Sequence, residues 1–244
     1  MRCAIIARMT ISEPVAESIM AVDIERFGDP HRDDQSGRTV IKAFYRLMHD
    51  AFAASSIPWD ECRREDRGDG AIIFVPARFA TVRLVDPLLG WLSTALTAHN
   101  RSAALQARLR LRLALHHGIV LPTGHSHTGN NVVLTCRLLD SAPLRTALAH
   151  SSGNLAVIVS EHIHDNLIRH GHGRIDPTAY HPVTIAVKRT RARAWVHLPG
   201  STQAPVLDEE LSSSTEHPAG GLRITGTAHG TRSTGVKIGK LEWK

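Results

Sequence analysis

"REDRGDGAIIFVP", residues 64–76, passes from a charged run through a glycine-bracketed aspartate into an apolar run. Arg64, Glu65, Asp66 and Arg67 bring charge up to Gly68-Asp69-Gly70, after which Ala71 to Val75 are uniformly apolar. Two glycines around an aspartate predict a tight turn, because glycine reaches positive φ without steric cost and aspartate tolerates the turn. The apolar run that follows predicts a strand buried in the interior. Turn chemistry alone accounts for Asp69 unless something else in the chain places a second functional group beside it.

Upstream, "SIMAV" (18–22) is a short apolar run that ends at Asp23, as a buried strand does, and the polar loop "DIERFGDPHRDDQSG" follows. From Thr39 to Ala54 the apolar residues Val40, Ile41, Phe44, Leu47, Met48, Ala51 and Phe52 fall at helical spacing. Downstream, Phe79 to His99 reads as a second amphipathic helix with an irregularity at Pro87. "LRLRLALHHGIVLP" (109–122) alternates Leu and Arg in the period of a half-buried strand, and Gly118 predicts a bend or a close approach. "GHSHTGN" reads as a loop, 130–140 as a helix, "LAVIVS" (155–160) as a buried strand, 161–170 as a short helix and 182–200 as a basic hairpin. The order β-α-β-β-α-β-α-β-α-β-β predicts an α+β or α/β sandwich with mixed strand pairing. Residues 1–15 read as an N-terminal extension and 16–200 as the folded domain. Residues 201–219 read as a linker, and 220–244 as a Gly/Thr-rich tail that is disordered or adds strands to a partner.

Composition narrows the function. Hydrophobic content of 42% with 21% charged residues is that of a soluble globular chain, and a net charge of +6 predicts an anionic partner. Arginines spread along the chain and only 5% aromatics favour a nucleotide or phosphate ligand over nucleic acid. Cys3, Cys62 and Cys136 are odd in number and widely spaced, which predicts no disulfide framework and a cytoplasmic location. Arg8 interrupts the N-terminal apolar residues and no run reaches membrane-spanning length, so no membrane association is expected. The pairs His125/His127, His162/His164 and His170/His172 fall in loops or a helix, where that spacing does not align two rings on one zinc ion.

Asp23 and Asp69 each stand where a buried strand ends or begins. Hard divalent cations take oxygen ligands, commonly one or two carboxylates plus substrate phosphates, so such a pair on a rigid frame is a candidate site for Mg²⁺ or Mn²⁺. Ordinary loop acids are the alternative.

Four segments in order, "MAVDIERFGD", "EDRGDGAIIFVP", "LRLALHHGIVL" and "TGNNVVLTCRLLDS", resemble the class III nucleotidyl cyclase homology domain over about residues 16–200. The resemblance implies a ferredoxin-like mixed sheet with helices packed on it, active as a homodimer with sites at the interface. It implies two metal ions, Mg²⁺ or Mn²⁺, held by Asp23, Asp69 and the carbonyl of Ile24. The implied reaction is attack of a ribose 3′-oxygen on the α-phosphate, giving a 3′,5′-cyclic nucleotide and pyrophosphate. Arg137 matches the transition-state arginine; the neighbouring transition-state asparagine is replaced by Val133, with Asn130 and Asn131 on other faces of the helix. Arg137 pairing with Asp140 on the helix surface is the alternative role for it. Glu65 and Ser126 match the family's base-reading positions, and a glutamate there implies GTP or a pyrimidine nucleotide rather than ATP, with a solvated Glu on a hairpin as the alternative. Pyrimidine cyclases of the Pycsar antiphage type share this scaffold. Lys188 or Arg191 matches the basic residue on the triphosphate, within the cluster Lys188, Arg189, Arg191 and Arg193. A cyclase-like module that binds a nucleotide without turnover is the second reading, and an adaptor recruiting an effector through the tail the third.

Overall fold

A computed structural model describes residues 13–30, 32–123 and 126–207. Of the expected N-terminal extension only 13–15 are described. The expected tail and the linker beyond 207 lie outside the described residues.

Strands β1 (Val15–Ile24), β2 (Arg63–Asp66), β3 (Gly70–Pro76), β4 (Leu111–Thr123), β5 (Ser126–Thr128), β6 (Leu155–Ser160), β7 (His181–Val187) and β8 (Thr190–His197) form one mixed sheet. Its order is β2-β3-β1-β4-β6-β8-β7, with β5 paired to the distal end of β4. Among the described residues only β4 and β6 pair in parallel. The helices are α1 (Asp34–Ala54), α2 (Val82–Val85), α3 (Leu88–Ser102), α4 (Asn130–Leu139), α5 (Ala142–Ala149) and α6 (Glu161–Asn166). The expected α+β fold, a mixed sheet with helices packed on it, is the one observed.

Helices cover both faces, which explains why β3 and β6 read as unbroken apolar runs rather than alternating ones. On one face Met20, Val22, Ile73, Val75, Leu113 and Val157 pack with α1 and α3. On the other Ile19, Ala21, Ile72, Phe74, Ala114 and Ile158 pack with α4 and α5.

Several expected boundaries move. α1 begins at Asp34 because the Asp33 carboxylate caps it, accepting from the Ser36 N–H at 2.7 Å. The expected helix 79–99 is two helices, divided at Asp86-Pro87, since proline cannot continue the intrahelical bonding. The segment expected as a loop before α4 contains β5, and α5 was not expected at all; its short apolar face (Leu144, Ala147, Leu148) is legible only against the sheet that buries it. The expected helix 161–170 ends at Asn166 and continues as a 3-10 turn over Ile168–His170. Gly118 faces a side chain rather than the other backbone expected there: a Cβ would lie 2.6 Å from the Asn131 amide.

Candidate functional site

Asp23 lies opposite Gly70 of β3 on one side and opposite Arg112 of β4 on the other. Gly70 is glycine because there is no room for anything larger. A Cβ there would sit 2.0 Å from the Val22 carbonyl oxygen and 2.8 Å from the Asp23 Cα. The close approach draws the β2–β3 turn against the end of β1, where the Ile24 N–H donates to the Asp69 carbonyl at 2.9 Å. Asp23 and Asp69 are thereby brought together at adjacent strand ends, on backbone that cannot easily shift.

The two carboxylates differ in environment. Asp69 is exposed, whereas the Asp23 side chain is only 14% exposed. Burial pushes the Asp23 carboxyl above its usual range; Arg112 opposes this, while Asp69 and Asp140 add to it. The Arg112 guanidinium holds Asp23 in a two-pronged clasp, Nε to Oδ1 at 2.9 Å and the second nitrogen to Oδ2 at 2.7 Å. Two residues earlier Arg110 makes a single bond to Glu25, at 2.8 Å. The arginine face of β4, expected to be half-exposed, is thus matched in register to the carboxylates of β1.

Arg112 is the site residue that sequence reasoning missed. Its signal was present: Arg110 and Arg112 alternate at the same period as Asp23 and Glu25, so antiparallel neighbours would pair them face to face. The oxygens of Asp23 and Asp69 and the carbonyl of Ile24 are the donor type a hard divalent cation takes. The Ile24 carbonyl accepts from the Phe27 N–H at 3.2 Å, which leaves its second lone pair available. Among the described residues no cluster of three or more His, Cys, Asp or Glu side chains could hold a metal. Two carboxylates fit an ion whose remaining ligands are phosphate oxygens and water. Each Asp23 oxygen accepts one bond from Arg112 and keeps a second lone pair for such an ion, and a guanidinium released from the clasp would be a bidentate phosphate donor.

The two expected base-reading positions also come together. Ser126 Oγ donates to Glu65 Oε1 at 3.0 Å, and the His127 backbone N–H donates to the same oxygen at 2.8 Å. Arg67 donates to Oε2 at 2.8 Å. Behind them the His127 ring stacks on Phe74, with centroids 3.8 Å apart, and its Nε2 faces Glu17 Oε2 at 3.4 Å. Burial pushes Glu17 up and His127 down, so desolvation favours the neutral form of each. β5, which sequence reasoning left as a loop, is what carries Ser126 to Glu65.

Arg137 does not pair with Asp140. It donates to Thr190 Oγ1, at the first residue of β8. Val133 points outward, 44% exposed, at the place expected to hold a polar donor. Asn131 cannot stand in for it: its carbonyl oxygen meets His116 Nε2 at 2.9 Å and its amide donates to the Ile119 carbonyl at 2.8 Å. Lys188 occupies the two-residue turn between β7 and β8 with φ of 53°, and Arg191 follows on β8. Of the basic cluster, Arg193 is paired with Glu161 at 3.3 Å. The β7–β8 turn lies beyond the last residue of β6, which pairs with Ala194, whereas Asp23 lies beside the first residues of β4. One chain therefore does not unite Lys188 and Arg191 with Asp23 and Asp69.

The architecture is that of the catalytic domains of class III adenylate and guanylate cyclases. An adenylate/guanylate cyclase/hydrolase from Silicibacter pomeroyi superposes with a TM-score of 0.56 at 18% identity, over 78% of this chain and all of that one. The guanylyl cyclase Cya2 matches at 0.52 and 13% identity, covering 80% of this chain and 98% of its own. The monomeric guanylyl cyclase domain of the RhoGC fusion protein from Blastocladiella emersonii matches at 0.51 and 12%, covering 78% and 99%. No protein-family model and no curated protein matches the sequence.

Proposed function

We propose that this chain is a nucleotide cyclase, converting a nucleoside triphosphate to a 3′,5′-cyclic nucleotide and pyrophosphate. The observation that carries this reading is the rigid pairing of Asp23 with Asp69, enforced by a glycine that admits no side chain. A protein that needed only a turn would not need that closeness.

Divalent ions held by Asp23, Asp69 and the Ile24 carbonyl would supply positive charge to the attacking and leaving oxygens. The chain's own groups do the rest. Arg112, once released from Asp23, turns its fork to a phosphate. Glu65, with Oε1 already accepting from Ser126 and His127, presents Oε2 to N–H donors on a base; a ring N–H on the pairing edge, which guanine and uracil carry and adenine lacks, suits that acceptor, so GTP or a pyrimidine nucleotide is favoured over ATP.

Lys188, Arg191 and Arg137 lie away from the carboxylates in one chain, so a second copy would bring them in. The exposed apolar side chains Ile119 (59%), Leu121 (45%) and Val133 (44%) on β4 and α4 support such a homodimer. A role in antiphage signalling, with an effector reached through the tail, is the further extension of this reading.

Val133 favours a second reading, a nucleotide-binding sensor without turnover. Purified protein incubated with each nucleoside triphosphate and Mn²⁺, followed by mass spectrometry, separates the two. The cyclase reading expects a cyclic product that disappears in Asp69→Ala; nucleotide binding with no product for any base would overturn it.

A further inference from the structure

A cavity of about 890 Å³ opens at the end of the sheet where β1 finishes and β4 and β6 begin. It lies among the β1–α1 loop, the C-terminal end of α3, the approach to β4 and the segment before β6. Its size is that of a small-molecule site rather than a groove for an extended polymer. Five arginines line it (Arg26, Arg32, Arg101, Arg108 and Arg110) against two acids, Glu25 and Asp29. Glu25 is already neutralised by Arg110.

The arginines divide into two kinds. Arg110 is structural: besides Glu25 it donates to the carbonyls of Leu148, Ser151 and Gly153, fixing the cavity floor. Arg32 is anchored on the Phe27 and Gln106 carbonyls. Arg26, Arg101 and Arg108 are exposed, and their side chains make no hydrogen bond or ion pair among the described residues. They converge on the cavity from three different segments. Arg26 also adopts φ of 54°, a left-handed conformation that a long side chain rarely takes. Such strain is retained where placement matters, and like charges gathered without partners are retained where an anion completes them. Asn100 and Asn154, bonded to one another at 2.8 Å, give the wall neutral polar groups as well.

We propose that this cavity binds a polyphosphorylated small molecule, with Arg26, Arg101 and Arg108 as its phosphate donors. The site is separate from the carboxylates: Asp23 and Asp69 do not line it, and it needs no metal ion. Isothermal titration of the full chain with inorganic tripolyphosphate, in EDTA to remove divalent ions, tests it. Binding is expected, weakening with added salt. Arg101→Ala and Arg108→Ala should each weaken it about tenfold or more, the loss expected for a charge-assisted bond to phosphate. Lys188→Ala combined with Arg191→Ala, at the hairpin remote from this cavity, should bind as the unaltered protein does. Both cavity arginines are exposed, so thermal unfolding of their variants should match the parent, which excludes misfolding as the cause. The proposal is overturned if tripolyphosphate does not bind, if the Arg101 and Arg108 variants bind normally, or if the Lys188/Arg191 double variant loses binding. Tighter binding of duplex DNA than of tripolyphosphate, abolished by the same arginine variants, would also overturn it.

Discussion

Replacing Gly70 by alanine adds one carbon atom and should damage both the fold and the site. That carbon would lie 2.0 Å from the Val22 carbonyl oxygen, 2.8 Å from the Asp23 Cα and 3.0 Å from the Val22 carbonyl carbon, all of them backbone. Unstrained carbon contacts begin near 3.5 Å, so β1 and β3 would have to separate by roughly an ångström or more at this pair. No flexible side chain can absorb the movement. Overpacking of this kind costs about 1–3 kcal/mol, and loss of the adjoining Ile24–Asp69 hydrogen bond adds about 1 kcal/mol. The sum, about 2–4 kcal/mol, corresponds to a fall in melting temperature of about 5–15 °C for a domain of this size. Gly28→Ala is the control, since nothing lies within 4 Å of its Cβ position and its φ is not in the left-handed region. Thermal unfolding and Mn²⁺ titration of both variants make the measurement. Gly70→Ala should melt earlier and bind Mn²⁺ more weakly, while Gly28→Ala changes neither. An unchanged melting temperature together with unchanged Mn²⁺ affinity in Gly70→Ala would refute the argument that this glycine sets the carboxylate pair.

Val133→Asn restores a side-chain amide at an exposed helix position and should raise the rate of cyclic-nucleotide formation by about 10²–10³-fold with little change in stability; no gain would remove Val133 from the site. Glu65→Lys combined with Ser126→Asp should move substrate use toward ATP, read from products formed with the four common triphosphates; an unchanged profile would mean that neither residue meets the base. Ile119→Asp should shift sedimentation toward a monomer and reduce turnover, whereas an unaltered sedimentation coefficient would place any dimer contact elsewhere. Burial holds the imidazoles of His116, His117 and His197 below their ordinary value of 6.5. The unfolded chain therefore takes up protons first as pH falls below about 6.5, and stability declines, by at most about 1.4 kcal/mol per pH unit for each proton. Urea midpoints measured from pH 7.5 to 5 check this, and His116→Gln should flatten the decline; a midpoint that does not move with pH would contradict it.

The local sequence determined a good deal by itself. Apolar runs and their periods placed β1, β3, β4, β6 and the long helices, because burial on one face or two leaves a pattern that needs no partner to be read. Gly68-Asp69-Gly70 announced its turn for the same reason: the conformational demand is local. Asp23, Asp69, Glu65 and Ser126 were legible as candidates through a family resemblance, and the structure places them in two pairs. Tertiary structure decided how those residues are engaged. The arginines at 110 and 112 alternate at the period of the carboxylates at 23 and 25, but whether they meet depends on which strands are neighbours and in what register, and only the sheet decides that. The pairing of Ser126 with Glu65 required β5, a three-residue strand too short to show a period of its own. The separation of Lys188 and Arg191 from Asp23 follows from strand order and direction. The arginine-lined cavity, too, is assembled from segments distant in the chain. Short-range conformational preference is written residue by residue, whereas the meeting of charges across strands exists only once the sheet has closed.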